Sequence, residues 1–210
     1  MNTNTDLANR ALAHIGEMRI SDIDDAENKA ARVCKGCIQQ VIDEVLREHR
    51  WNCAIKRVAL SQLALAPEHG FARAFQLPGD FLRLLEVNGE QFGESDEFFE
   101  IEEGARLLTN ADKAEIRYVR RIPVVEFDPL LAKAVSAALA AEICVPLNLN
   151  LQMQAQLEGL KARAVSKAQR IDAIEVGSRE VRPIERLLGN SLLIRARGAR
   201  PRNPLRYQLP

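Results

Sequence analysis

The sequence predicts an α+β protein: a four-helix bundle with a small inserted antiparallel β-domain and an extended C-terminal arm. Three observations carry that expectation. Apolar residues recur at three- and four-residue steps near both ends of residues 1–178, the period shortens to two between about residues 55 and 122, and beyond Gly177 prolines and arginines replace any regular pattern. The expected divisions are a first helical part (1–54), a β-domain (55–123), a second helical part (124–178) and a basic arm (179–210).

Asp6 is placed to cap a first helix whose apolar positions are Leu7, Ala11, Leu12 and Ile15, with Gly16 as its stop. Asp24 and Glu27 stand in capping-box relation before a second helix to about Arg50. Its repeated apolar positions, including Ala30, Cys34, Cys37, Ile38, Val41 and Val45, form one buried face.

A strand is expected at 57–63 and another at 71–77, with a turn at Pro78-Gly79-Asp80. Residues 84–87 run into Asn88-Gly89, a strong hairpin signal. A second hairpin is expected from 98–102 through Gly104 to 106–109, and residues 115–122 alternate as a last strand of one small sheet.

Asp128-Pro129 reads as N-cap and first residue of a third helix, ended by Pro146. Six of the seventeen residues after Asp128 are alanine, which lets neighbouring backbones approach closely. A fourth helix is expected over 149–174, with Met153, Leu157, Leu160, Ala164, Ala168, Ile171 and Ile174 as its seam.

The 210 residues suit one domain with an insertion. The 29 Lys and Arg balance 29 Asp and Glu, which excludes a polycationic body. The balance is uneven along the chain. Residues 179–210 hold eight arginines, no lysine and two glutamates, a net charge of +6, which leaves −6 on residues 1–178. No stretch reaches ~20 uninterrupted apolar residues, and the polar start lacks a basic-then-apolar signal. A cytosolic origin with four reduced cysteines, and no membrane partner, is therefore expected.

Cys34, Cys37, His49 and Cys53 are the one set with zinc-type donors. Because both members of the Cys34-x-x-Cys37 pair fall on the apolar face of a helix, they read as small core residues. A redox CxxC belongs at a helix start instead. Asp22, Asp24 and Asp25 fail as a calcium loop, with Glu27 where glycine is needed and Val33 where glutamate is needed. No phosphate loop, dinucleotide fingerprint, nucleophile elbow or zinc-protease motif occurs, and His14, His49 and His69 lie in separate segments. The expectation is no enzyme, no cofactor and no metal.

In the arm, Leu192, Leu193, Ile194, Leu205 and Tyr207 interleave with Arg195, Arg197, Arg200, Arg202 and Arg206. Charge alone suggests phosphate contacts. Arginine without lysine also suits bidentate pairing with carboxylates, and the apolar residues and prolines favour docking into a protein groove. A disordered tail is the third alternative.

Several strings, in order, resemble the tail tubular protein A family, the head-to-tail adaptors of short-tailed bacteriophages. They are Ala11-Leu12-Ala13-His14-Ile15-Gly16-Glu17, Ile20-Ser21-Asp22-Ile23-Asp24-Asp25, Ala30-Ala31-Arg32-Val33-Cys34, Leu46-Arg47-Glu48-His49-Arg50-Trp51-Asn52-Cys53-Ala54, Phe75-Gln76-Leu77-Pro78-Gly79-Asp80-Phe81-Leu82-Arg83, Ile116-Arg117-Tyr118-Val119 and Phe127-Asp128-Pro129-Leu130-Leu131. The resemblance covers roughly residues 5–175. It implies a helical bundle with a small β-domain, assembled as a dodecameric ring between the portal protein and a tail nozzle of tail tubular protein B type. DNA passes through the lumen without sequence-specific binding. It implies a virion protein of the neck or tail, present in the host cytoplasm during assembly, with no enzyme activity. The ten arm residues named above are then the expected portal contacts. The alternative is a nucleic-acid-binding protein that uses the same arm.

Overall fold

Thr3 opens the first helix, α1 (Asn4–Ile15), in a computed structural model that describes residues 2–91, 99–104 and 106–175. Its hydroxyl accepts from the Asp6 amide at 3.0 Å while the Asp6 carboxylate accepts from the Thr3 amide at 3.1 Å. Asp6 is thus the third residue of a capping box and Thr3 is the cap, three residues ahead of the expected start. Gly16 ends the helix in the left-handed region, as expected.

The second helix, α2 (Lys29–Glu48), also starts elsewhere than expected. Asp22 accepts from the Asp24 amide at 3.1 Å and Asp25 from the Glu27 amide at 3.0 Å. Those local turns compete with helix, so the start slips to Asn28, whose side chain accepts from Ala30 and Ala31. The buried face of α2 includes Cys34, Ile38, Val41, Val45 and Leu46, as its periodicity predicts.

Between α2 and the third helix, α3 (Pro129–Asn148), lie β1 (Ile55–Ala59), β2 (Arg73–Gln76), β3 (Phe81–Val87), β4 (Glu90–Gln91), β5 (Phe99–Glu102), β6 (Arg106–Thr109) and β7 (Glu115–Arg120). They form two antiparallel sheets, in the orders β1-β7-β3-β4 and β2-β6-β5, where one was expected. Both hairpins occur, with Asn88 and Gly89 at positive φ as their turn requires. The four-stranded sheet is buried on both sides. Leu84, Val87, Ile116 and Tyr118 pack with Phe75 and Leu107 of the second sheet, while Leu82, Leu85 and Val119 join the helices.

Asp128 caps α3 and Pro129 starts it, both as expected. The helix does not stop at Pro146 but continues to Asn148, because a proline in the last turn removes only one helical bond. Leu149, in the left-handed region, closes it, its N–H donating to the Val145 carbonyl at 3.0 Å. From Leu131 to Cys144 nearly all of α3 is buried, and α1 and α2 both pack on it. By length and composition this helix is apolar enough to cross a membrane, with mean hydropathy 1.8 over an 18-residue stretch; 67% of that stretch is buried inside the fold, the situation of a core helix.

The fourth helix, α4 (Leu151–Glu175), begins after Asn150, whose side chain accepts from the Met153 amide. Leu157, Val165 and Ala168 enter the helical core, with Met153, Leu160 and Ala164 half-buried beside them, while Ile174 is exposed. The observed architecture is therefore α+β, with four helices and two small antiparallel sheets among the described residues. The chain divides into a unit from Met1 to Ala173 and another from Ile174 to Pro210.

Candidate functional site

All ten arm residues expected to contact a partner, from Leu192 to Tyr207, lie outside the described residues. The other sequence candidates can be located. Cys34 is buried in the helical core and burial, with Cys37 beside it, pushes its thiol up to about 11. Cys37 and Cys53 are half-buried and raised for the same first reason. A buried, uncharged thiol packs as a hydrophobe. Eleven further residues of α2, at about 1.5 Å each, carry the chain from Cys37 to the helix end, so the four zinc-type donors are not brought together. Among the described residues no group of three or more His, Cys, Asp and Glu side chains is placed to hold a metal.

His49 has a different partner. Its Nε2 lies 3.2 Å from Asp172 Oδ2 on α4, and its ring meets Trp51 edge to face at 4.9 Å. Asp172 Oδ1 also accepts from the Asn52 amide at 2.9 Å, and the Asn52 side chain donates to the Asp172 carbonyl at 2.8 Å. Trp51 is buried, with Nε1 donating to the Val45 carbonyl at 2.8 Å. This clasp fastens α4, near its end, to the turn that follows α2.

Beside the same turn is a cleft of about 850 Å³ along β3. Arg47 and Arg50 form one wall, at and just beyond the end of α2, and Ile101 and Gly104 of the β5–β6 hairpin form the other. Arg83, on β3, donates to the carbonyls of Arg47 at 3.1 Å and Glu48 at 3.4 Å, where the negative end of the helix dipole favours a cation. Among the described residues that line the cleft, Arg47, Arg50 and Arg83 are the charged ones. Periodicity gives no sign of it, because its arginines come from segments more than thirty residues apart and meet only through the packing of α2 against β3.

No protein-family model matches the chain, and no curated protein matches it in sequence.

Proposed function

We propose that this chain is a structural protein of a bacteriophage virion, a head-to-tail adaptor that rings the DNA exit channel between portal and tail nozzle. In this reading the four helices form a bundle and the strands are its insertion. Twelve copies close the ring, and the arginine-rich arm attaches to portal. The chain performs no catalysis; its work is to join and to leave an open passage.

The observation that carries the reading is where the family-like strings fall. They occur in order, and they coincide with joints of the α+β fold rather than with scattered surface. Ala11–Gly16 runs into the left-handed stop of α1. The 20–25 string holds the Asx turns before α2, Trp51 anchors the end of α2, Pro78-Gly79-Asp80 precedes β3, and Asp128-Pro129 starts α3. Charge supports it as well: a genome must slide through such a ring, and a body carrying −6 repels phosphate while the +6 charge of residues 179–210 suits acidic surfaces.

Removing residues 192–210 tests the attachment. The truncated chain is expected to keep its helical circular dichroism and to lose co-sedimentation with the portal protein of the same genome. Portal binding at undiminished strength would overturn the assignment. The rival reading, a nucleic-acid-binding arm, rests on the same arginines and predicts duplex binding that weakens steeply with salt in the full chain only.

A further inference from the structure

We propose that the exposed face of α4 around Arg163, Lys167 and Arg170 contacts the phosphodiester backbone of duplex nucleic acid without reading its sequence. This goes beyond the adaptor reading and holds without it, since it concerns neither the portal nor the closing of a ring.

The first ground is how α4 distributes its side chains. Leu157, Val165 and Ala168 enter the helical core, with Leu160 and Ala164 half-buried beside them. Helical periodicity then sets Gly159, Ala162, Arg163, Ser166, Lys167 and Arg170 on the opposite side, and from Ala162 onward all of these are exposed. The acids of α4 fall elsewhere. Glu158 lies 3.8 Å from Lys161, Asp172 is turned to His49 and Asn52, and Glu175 stands more than a turn beyond Arg170. Every residue of α4 is described, so over these turns the helix presents three cations and no acid.

The second ground is spacing. By helical rise the three cations span about 10 Å, and a strand of B-form duplex offers a phosphate about every 3.4 Å along its axis, so they match about three phosphates of one strand. The small side chains between them leave a shallow hollow of about 470 Å³, lined by Ala162, Arg163, Ser166, Lys167 and Arg170. The Ser166 hydroxyl adds a donor suited to a phosphate oxygen.

The third ground is what this face does not offer other partners. Protein partners are anchored mainly by large side chains in desolvated pockets, and lipid surfaces take up large apolar ones. Here the largest uncharged side chain is that of Ser166, while Leu157 and Leu160 are committed to the core. The net −6 of residues 1–178 confines a polyanion to this face of the body, and a contact made by charge alone lets the strand slide.

The test uses the full chain and a fluorescein-labelled duplex of about thirty base pairs, followed by fluorescence anisotropy between about 50 and 200 mM salt. Saturable, salt-sensitive binding is expected. The R163Q/K167Q/R170Q variant, which changes only exposed side chains and should keep its circular dichroism, is expected to bind at least about tenfold more weakly at the lowest salt, with a salt slope smaller by about two to three. The C-terminal arginines are separated from α4 by a second background, R195Q/R197Q/R200Q/R202Q/R206Q. Saturable binding should persist there and should again fall when the three α4 substitutions are added. Duplex should also protect Lys167 from acetylation. The proposal is overturned by absence of saturable binding in either background, by α4 substitutions that leave affinity and slope unchanged, by Lys167 that stays equally reactive, or by polyglutamate that competes as well as duplex.

Discussion

Tyr118 shows how single residues hold the strand region. Its ring is fully buried and stacked with Phe81 at 5.8 Å, and its hydroxyl donates to Asp80 Oδ1 at 2.8 Å. Burial, then that hydrogen bond, then the Asp80 charge raise the phenol from its ordinary 10.0 to about 12. The unfolded chain therefore releases this proton before the folded one does. The stability it provides is whole below pH 10 and drains away as pH rises toward 12. Denaturant midpoints should accordingly fall more steeply over that interval for the native chain than for Tyr118→Phe. Parallel falls would show that the phenol is not held in this way. The Pro78-Gly79-Asp80 turn was legible in the sequence, but the bond from Asp80 to a tyrosine 38 positions away was not, since only strand register creates it. The Glu86–Arg117 pair is similar. It is nearly buried, with a contact of 2.6 Å, because β3 and β7 set those two residues opposite each other. Val119 shows the converse, a residue whose place in the alternation suggests an outward side chain but which is buried because helices cover that face of the sheet.

At the scale of elements, α3 decides how closely the helices approach. Ala132, Ala134, Ala138, Ala140 and Ala141 are buried in the helical core, where a β-carbon is all the space admits. Interiors packed to this density do not yield readily to extra methylenes. Ala134→Leu is therefore expected to cost about 1–3 kcal/mol, read as a lower urea midpoint with the helical signal retained before the transition. An unchanged midpoint would mean that the α1–α3 and α2–α3 contacts are looser than the structure indicates. Helix existence, the buried faces of α1 and α2, both hairpins and the Asp128-Pro129 start followed from periodicity and turn chemistry. The first residues of α1, α2 and α4 did not, because several Thr, Asp and Asn side chains near each start compete to bond the same free amides, and only the folded geometry selects Thr3, Asn28 and Asn150. The division into two sheets was likewise hidden, since local sequence marks strands and turns but not which distant strands pair.

For the whole molecule, the neutral sum of charges conceals an acidic body and a basic C-terminal segment, and that division was legible from the sequence alone. The cleft of Arg47, Arg50 and Arg83 was not, because an α2 end, a strand edge and a hairpin have to meet before those arginines share a surface. The clasp on Asp172 belongs to the same class of feature: it ties residues 120 positions apart and fixes the end of α4 just before the arm begins. On the proposed adaptor reading, the charged segments join partners and the aliphatic core holds the body together. The most direct measurement is electron microscopy of the purified chain mixed with the portal protein of the same genome. The account predicts twelvefold rings of this chain seated on one face of portal, with an open central channel. Portal particles left bare at saturating concentrations of the chain would contradict it.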